Sequence, residues 1–135
     1  MTKTLGIFSS LLIVFMTISC GHKHTASEIV LDNGKPWIAN PETTKGINNM
    51  ILLMDAFKDS DDRKAYKNLA SNLSDEFQMI FKNCTMEGEA HNQLHNYLLP
   101  MKDLFDGLNS TEVSVQKQSF ETLKAHLMAY PNYFQ

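Results

Sequence analysis

Three observations predict an all-α fold, an up-down-up-down antiparallel four-helix bundle behind an N-terminal leader and tether. Apolar side chains recur at spacings of three and four through most of residues 42–135. Gly-, Asp- and Asn-containing breaks cut that pattern into four stretches joined by short links. No sustained period-two alternation runs through the same region, which argues against a sheet. Short links between long helices make consecutive helices antiparallel neighbours.

The first segment is a leader. Lys3 is its one charged side chain, and an uncharged run rich in Leu, Ile, Val, Phe and Met extends from Leu5 to Ile18. At about 14 residues it falls short of the roughly 20 needed to span a bilayer and fits the apolar core of a signal peptide. It closes on Thr17-Ile18-Ser19-Cys20-Gly21. A small residue, a cysteine and a glycine in that order resemble the lipobox of bacterial lipoproteins. The resemblance implies cleavage before Cys20, a diacylglycerol thioether on its sulfur and an acylated amino terminus. It therefore implies attachment to a cell-envelope membrane through lipid on Cys20. Gly21 is not the Asp that retains some lipoproteins at the inner membrane, so the resemblance favours the outer membrane, facing the periplasm. Residues 1–19 are set aside as the signal peptide, residues 20–41 as the lipidated tether and lead-in, and residues 42–135 as the bundle.

Removing Lys3 from the 12 basic side chains leaves 11 against 15 acidic ones, a mature charge of −4. With no basic stripe, nucleic-acid binding is not expected. The tether begins polar (His22, Lys23, His24, Thr25, Ser27) and then carries the turn pair Asn33-Gly34 and Pro36 and Pro41. Ile29, Val30 and Leu31 suit a brief extended piece. Trp37 and Ile38 are expected to fold back on the bundle, since a lone Trp is rarely left in water.

The first helix is expected over about Thr43 to Lys58, with Ile47, Met50, Ile51, Met54 and Phe57 on one face. Asp59-Ser60-Asp61-Asp62 ends it and caps the second, from about Asp61 to Asn83, with Ala65, Leu69, Leu73, Phe77, Ile80 and Cys84 in line. The third starts near Gly88 and carries Leu94, Leu98, Met101, Phe105 and Leu108, with a kink expected at Pro100. The fourth runs from about Thr111, capped by Ser110 or Thr111, to Tyr130, where Pro131 stops it. Its stripe is Val113, Gln116, Phe120, Leu123, Leu127 and Tyr130.

The antiparallel order brings Met50, Cys84, Met86, His91, His95 and His126 toward one end of the bundle. His91 and His95 are four apart and share a helix face. Cys84 is the only cysteine besides Cys20. Once Cys20 is lipidated, no intrachain disulfide is available to it. Thiolate, thioether and imidazole together suit a soft metal, copper above all. Cys84, Met86, His91 and His95 are the expected ligands, with Met50 and His126 as possible additions. Glu87, Glu89 and Asp103 are candidates for supporting hydrogen bonds. Each of these residues taken alone also fits ordinary helix packing. His22 and His24 form a weak His-x-His pair in the tether.

The plan over about residues 47–134 also resembles the periplasmic four-helix-bundle cytochromes. In their b-type members a Met early in the first helix and a His late in the fourth ligate haem. Met50 matches the first, but Pro131 stands at the second position, His126 lies about a turn earlier, and no Cys-x-x-Cys-His is present. The resemblance thus extends to architecture and argues against haem. The stretch Phe81 to Leu99 also resembles small bacterial envelope lipoproteins, for which no activity is implied. Three functions follow in order of support: copper binding in storage, sensing or resistance; an interaction module docking on another envelope protein; and, last, an enzyme, since no phosphate loop or nucleophile signature is present.

Overall fold

The computed structural model describes residues 28–58 and 60–135. The leader, Cys20, His22 and His24 lie outside the described residues. Four helices follow one another: α1 Pro41–Ala56, α2 Arg63–Asn83, α3 Gly88–Leu108 and α4 Val113–Met128, with a short 3-10 turn at Tyr130–Asn132. Contacts join α1 to α2, α2 to α3, α3 to α4 and α4 back to α1, which is the four-helix bundle the periodicity predicts. No helix among the described residues is long and apolar enough to cross a membrane.

The stripes meet in one core. Ile47, Met50 and Met54 of α1 and Leu69, Leu73, Phe77 and Ile80 of α2 are buried. They pack with Leu94, Leu98, Met101, Phe105 and Leu108 of α3 and Leu123 and Leu127 of α4. Burying each such side chain contributes about 1.5–3 kcal/mol. Two pairs of helices approach closely. A β-carbon at Gly46 of α1 would sit 2.5 Å from the Ile80 side chain of α2, and one at Gly107 of α3 would collide with Ser119 of α4.

Helix ends are fixed by local chemistry. Pro41 occupies the first turn of α1, where its missing N–H costs nothing. The Asn40 side chain donates to Glu42 at 2.9 Å and to the Asn83 carbonyl at 3.1 Å, tying the start of α1 to the end of α2. Asp62 caps α2 by accepting from the Lys64 amide at 2.8 Å. At the far end of α3 the Leu108 carbonyl has run out of helical donors. The buried Gln116 amide of α4 supplies one at 2.9 Å and reaches the Arg63 carbonyl at 3.3 Å, while its own Oε1 has no hydrogen-bond partner among the described residues.

Several details differ from the sequence reading. α1 ends at Ala56, and Phe57, just beyond it, joins an aromatic group with Tyr66 and Phe120. On α2 the buried residue is Tyr66, and Ala65 is only half-buried. The reason is size: the larger ring takes the inward position next to Phe57 and Phe120. α4 begins at Val113 with Glu112 as its N-cap, and Ser110 accepts the Glu112 amide at 3.1 Å instead of capping the helix itself. α3 continues on both sides of Pro100 as one helix. Ile38 does not fold back; it is 70% exposed. Backbone pairing turns its side chain out, because its neighbours Trp37 and Ala39 bond to the C-terminus.

That pairing is a clasp. The Trp37 amide donates to Tyr133 at 2.8 Å, the Gln135 amide to Trp37 at 2.9 Å and the Ala39 amide to Gln135 at 2.9 Å. Trp37 and Phe134 thereby form a parallel bridge, and Phe134 is buried with its ring stacked on Tyr130. The lead-in is pinned a second time where the Val30 amide donates to Gln93 of α3 at 2.8 Å and the Trp37 indole donates to the Val30 carbonyl at 2.6 Å. Asn33 and Gly34, both at positive φ, make the tight turn between Asp32 and Lys35.

Candidate metal centre

The centre is built on the link between α2 and α3. α2 stops at Asn83, and Cys84 takes an extended conformation as its C-cap, with φ −68° and ψ 123°. The next helix opens at Gly88, whose φ of +62° is a left-handed conformation that side-chain-bearing residues reach only at about 1–2 kcal/mol. This four-residue link folds Cys84 back over the first turns of α3. Cys84 and Met86 are half-buried and pack against the core.

There Cys84 meets the two histidines. Its Sγ lies 3.6 Å from Nδ1 of His91, and Nε2 of His91 lies 2.9 Å from Nε2 of His95. The two imidazoles are 4.5 Å apart between centroids and nearly perpendicular at 70°. Phe81, one turn before Cys84, places its ring 5.4 Å from His95. Cys84, His91 and His95 thus form a chain with His91 in the middle. One proton per imidazole satisfies both contacts in either direction. If the thiol donates to Nδ1, His91 carries its proton on Nε2 and donates to His95. If Nδ1 carries the proton, both contacts reverse. Burial lowers the proton affinity of His95, and the neighbouring His91 lowers it further.

Not all the expected residues converge. Cys84 and His95 address different nitrogens of the same ring, and so do not point at a common centre. Consistent with this, among the described residues no group of three or more His, Cys, Asp or Glu side chains is placed to hold one metal ion. Met50 is buried in the core ten residues into α1. His126 is engaged elsewhere. Its ring stacks on Tyr97 at 4.3 Å, its Nε2–H donates to the Tyr97 carbonyl at 2.8 Å, and Tyr97 Oη donates back to the His126 carbonyl at 2.8 Å. Burial lowers the His126 proton affinity against a smaller opposing effect of that carbonyl, and burial raises the Tyr97 phenol. Glu89 does not support the histidines; it accepts from Gln93 at 2.6 Å and Asn92 at 3.3 Å, and these bonds hold its carboxyl below the usual range. Glu87 and Asp103 are exposed.

Sequence reasoning missed Phe81 as a neighbour of His95 and Tyr97 as the partner of His126. The first was readable in principle, because Phe81 lies in the last turn of α2, three positions before Cys84. No family, curated protein or solved structure matches the chain.

Proposed function

We propose that the protein is a lipid-anchored envelope protein that binds a soft metal ion, Cu(I) above all, between Cys84 and His91, in storage, sensing or resistance. The observation that carries this is the 3.6 Å separation of Sγ and Nδ1. A metal held at about 2.3 Å from sulfur and about 2.0 Å from nitrogen needs its two ligands roughly 3.5 Å apart at tetrahedral angles. The pair therefore matches a ligand edge without rearrangement. Thiolate and imidazole favour Cu(I), and the half-buried Met86 thioether two residues from Cys84 supplies a further soft donor. A bound Cu(I) neutralises the thiolate, so no net charge is left in a half-apolar site. His95 accepts the remaining His91 proton and fixes the tautomer that leaves Nδ1 free. The Cys20 anchor rests on the Leu5–Ile18 run and the Ser19-Cys20-Gly21 step.

The test is Cu(I) competition against a chromophoric chelator. Wild type should withdraw copper from the chelator. Cys84→Ala and His91→Ala should each withdraw less copper than wild type, while both retain the helical circular dichroism of the bundle. Weak binding that neither substitution alters would sink the metal reading and leave docking on another envelope protein as the function to pursue.

A further inference from the structure

We infer that the centre takes two Cu(I) ions, bridged by the His91 imidazole. This rests on the reading of Cys84 and His91 as ligands and extends it. Both nitrogens of His91 face a metal-binding atom: Nδ1 the Cys84 sulfur at 3.6 Å, Nε2 the His95 Nε2 at 2.9 Å. A single ion uses only the first of these pairs. The second pair is itself a two-histidine site at helical i, i+4 spacing, the spacing that lets two imidazoles share one ion. At 2.9 Å the two nitrogens now share a proton. An ion about 2.0 Å from each needs them roughly 3.3 Å apart at tetrahedral angles. The gap of roughly 0.4 Å is met by small side-chain rotations of two half-buried rings on one rigid helix.

The charges balance. The first ion displaces the Cys84 thiol proton. The second displaces the one remaining N–H proton of His91, which becomes an imidazolate bound to a metal through each nitrogen. His95 binds as a neutral imidazole through Nε2, with its proton on Nδ1. Two monovalent cations then face one thiolate and one imidazolate, and the centre is neutral overall. Neutrality matters because Cys84 packs against the apolar core and the Phe81 ring lies beside His95.

Stoichiometry reads this directly. Full-length protein in detergent is titrated with Cu(I) as its acetonitrile complex, and bound copper is counted against the chelator. Copper held by the tether residues Cys20, His22 and His24 adds equally to every variant and cancels in the differences. Cys84→Ser should bind one ion fewer than wild type, His95→Gln one fewer, and His91→Gln two fewer. The double variant Cys84→Ser/His95→Gln should also lose two, which keeps the test decisive if His91→Gln does not fold. A wild-type count that His95→Gln leaves unchanged while Cys84→Ser lowers it by one would overturn the bridge and keep the single-ion reading. Counts unchanged in every variant would overturn both.

Discussion

His126 shows how far a side chain's role depends on its partner. Read from the sequence it was a spare ligand. In the fold its ring lies on Tyr97, and the two residues exchange hydrogen bonds across the α3–α4 seam. Burial favours its neutral form, so the folded state binds a proton more weakly than the unfolded chain does, whose histidine titrates near about 6.5. Where the unfolded state binds more protons, stability rises with pH. The stabilisation is therefore complete above about pH 6.5 and is lost as pH falls through that value toward the lowered folded one. His95 shifts in the same direction and adds to the slope. Thermal melts between pH 7.5 and pH 5 should show the midpoint falling. His126→Gln, which keeps a donor for the Tyr97 carbonyl, should flatten that fall; an unchanged slope would assign the effect elsewhere. The ligand candidates were legible at this scale as residue types. Their pairing was not, because which nitrogen of His91 faces which neighbour depends on the course of the Cys84–Glu87 link, and no spacing encodes it.

Among the elements, the helices themselves were the legible part. Every apolar position assigned to the α3 stripe is buried, since a 3.6-residue repeat with one wide apolar face has only one way to pack. Departures came where the period meets a helix end. Phe57 leaves α1 yet stays against the core, and Tyr66 displaces Ala65 inward. Tertiary contacts among three rings decide both, and these rings come from three different elements. The seam between α3 and α4 makes a sharper prediction. Gly107 leaves no room for a β-carbon against Ser119. Gly107→Ala gains helix propensity of about 1 kcal/mol in isolation, yet overpacking at such a contact costs about 1–3 kcal/mol. The net expectation in chemical denaturation is a loss, and pairing it with Ser119→Gly should recover part of that loss through a positive coupling in the double-mutant cycle. Simple additivity would show that the seam relaxes freely.

At the scale of the whole molecule the proposed anchor and the observed bundle meet at the lead-in. Cys20→Ser should move the protein from the membrane fraction to the soluble one, as followed by fractionation; retention on the membrane would mean that something other than lipid on Cys20 holds it. The clasp of the lead-in with the C-terminus was invisible to periodicity, because its backbone bonds carry no side-chain pattern, and only the apolar Phe134 hints at it. Deleting Phe134 and Gln135 removes a buried ring and two of the three clasp bonds. Truncating a buried Phe alone costs about 3–5 kcal/mol, so the thermal midpoint should drop by more than 10 °C.

If Cys20 carries the proposed lipid, the same clasp sets how a pull from the N-terminal side is shared out. A tug arriving at Glu28 meets Val30 on α3 and then Trp37 on the last residues of the chain before it reaches α1. Tension is therefore handed to the opposite terminus and to the third helix, and α1 is not peeled off turn by turn. Such a pull would reach the turn of α3 that carries His91 and His95 first, because Gln93 lies between them.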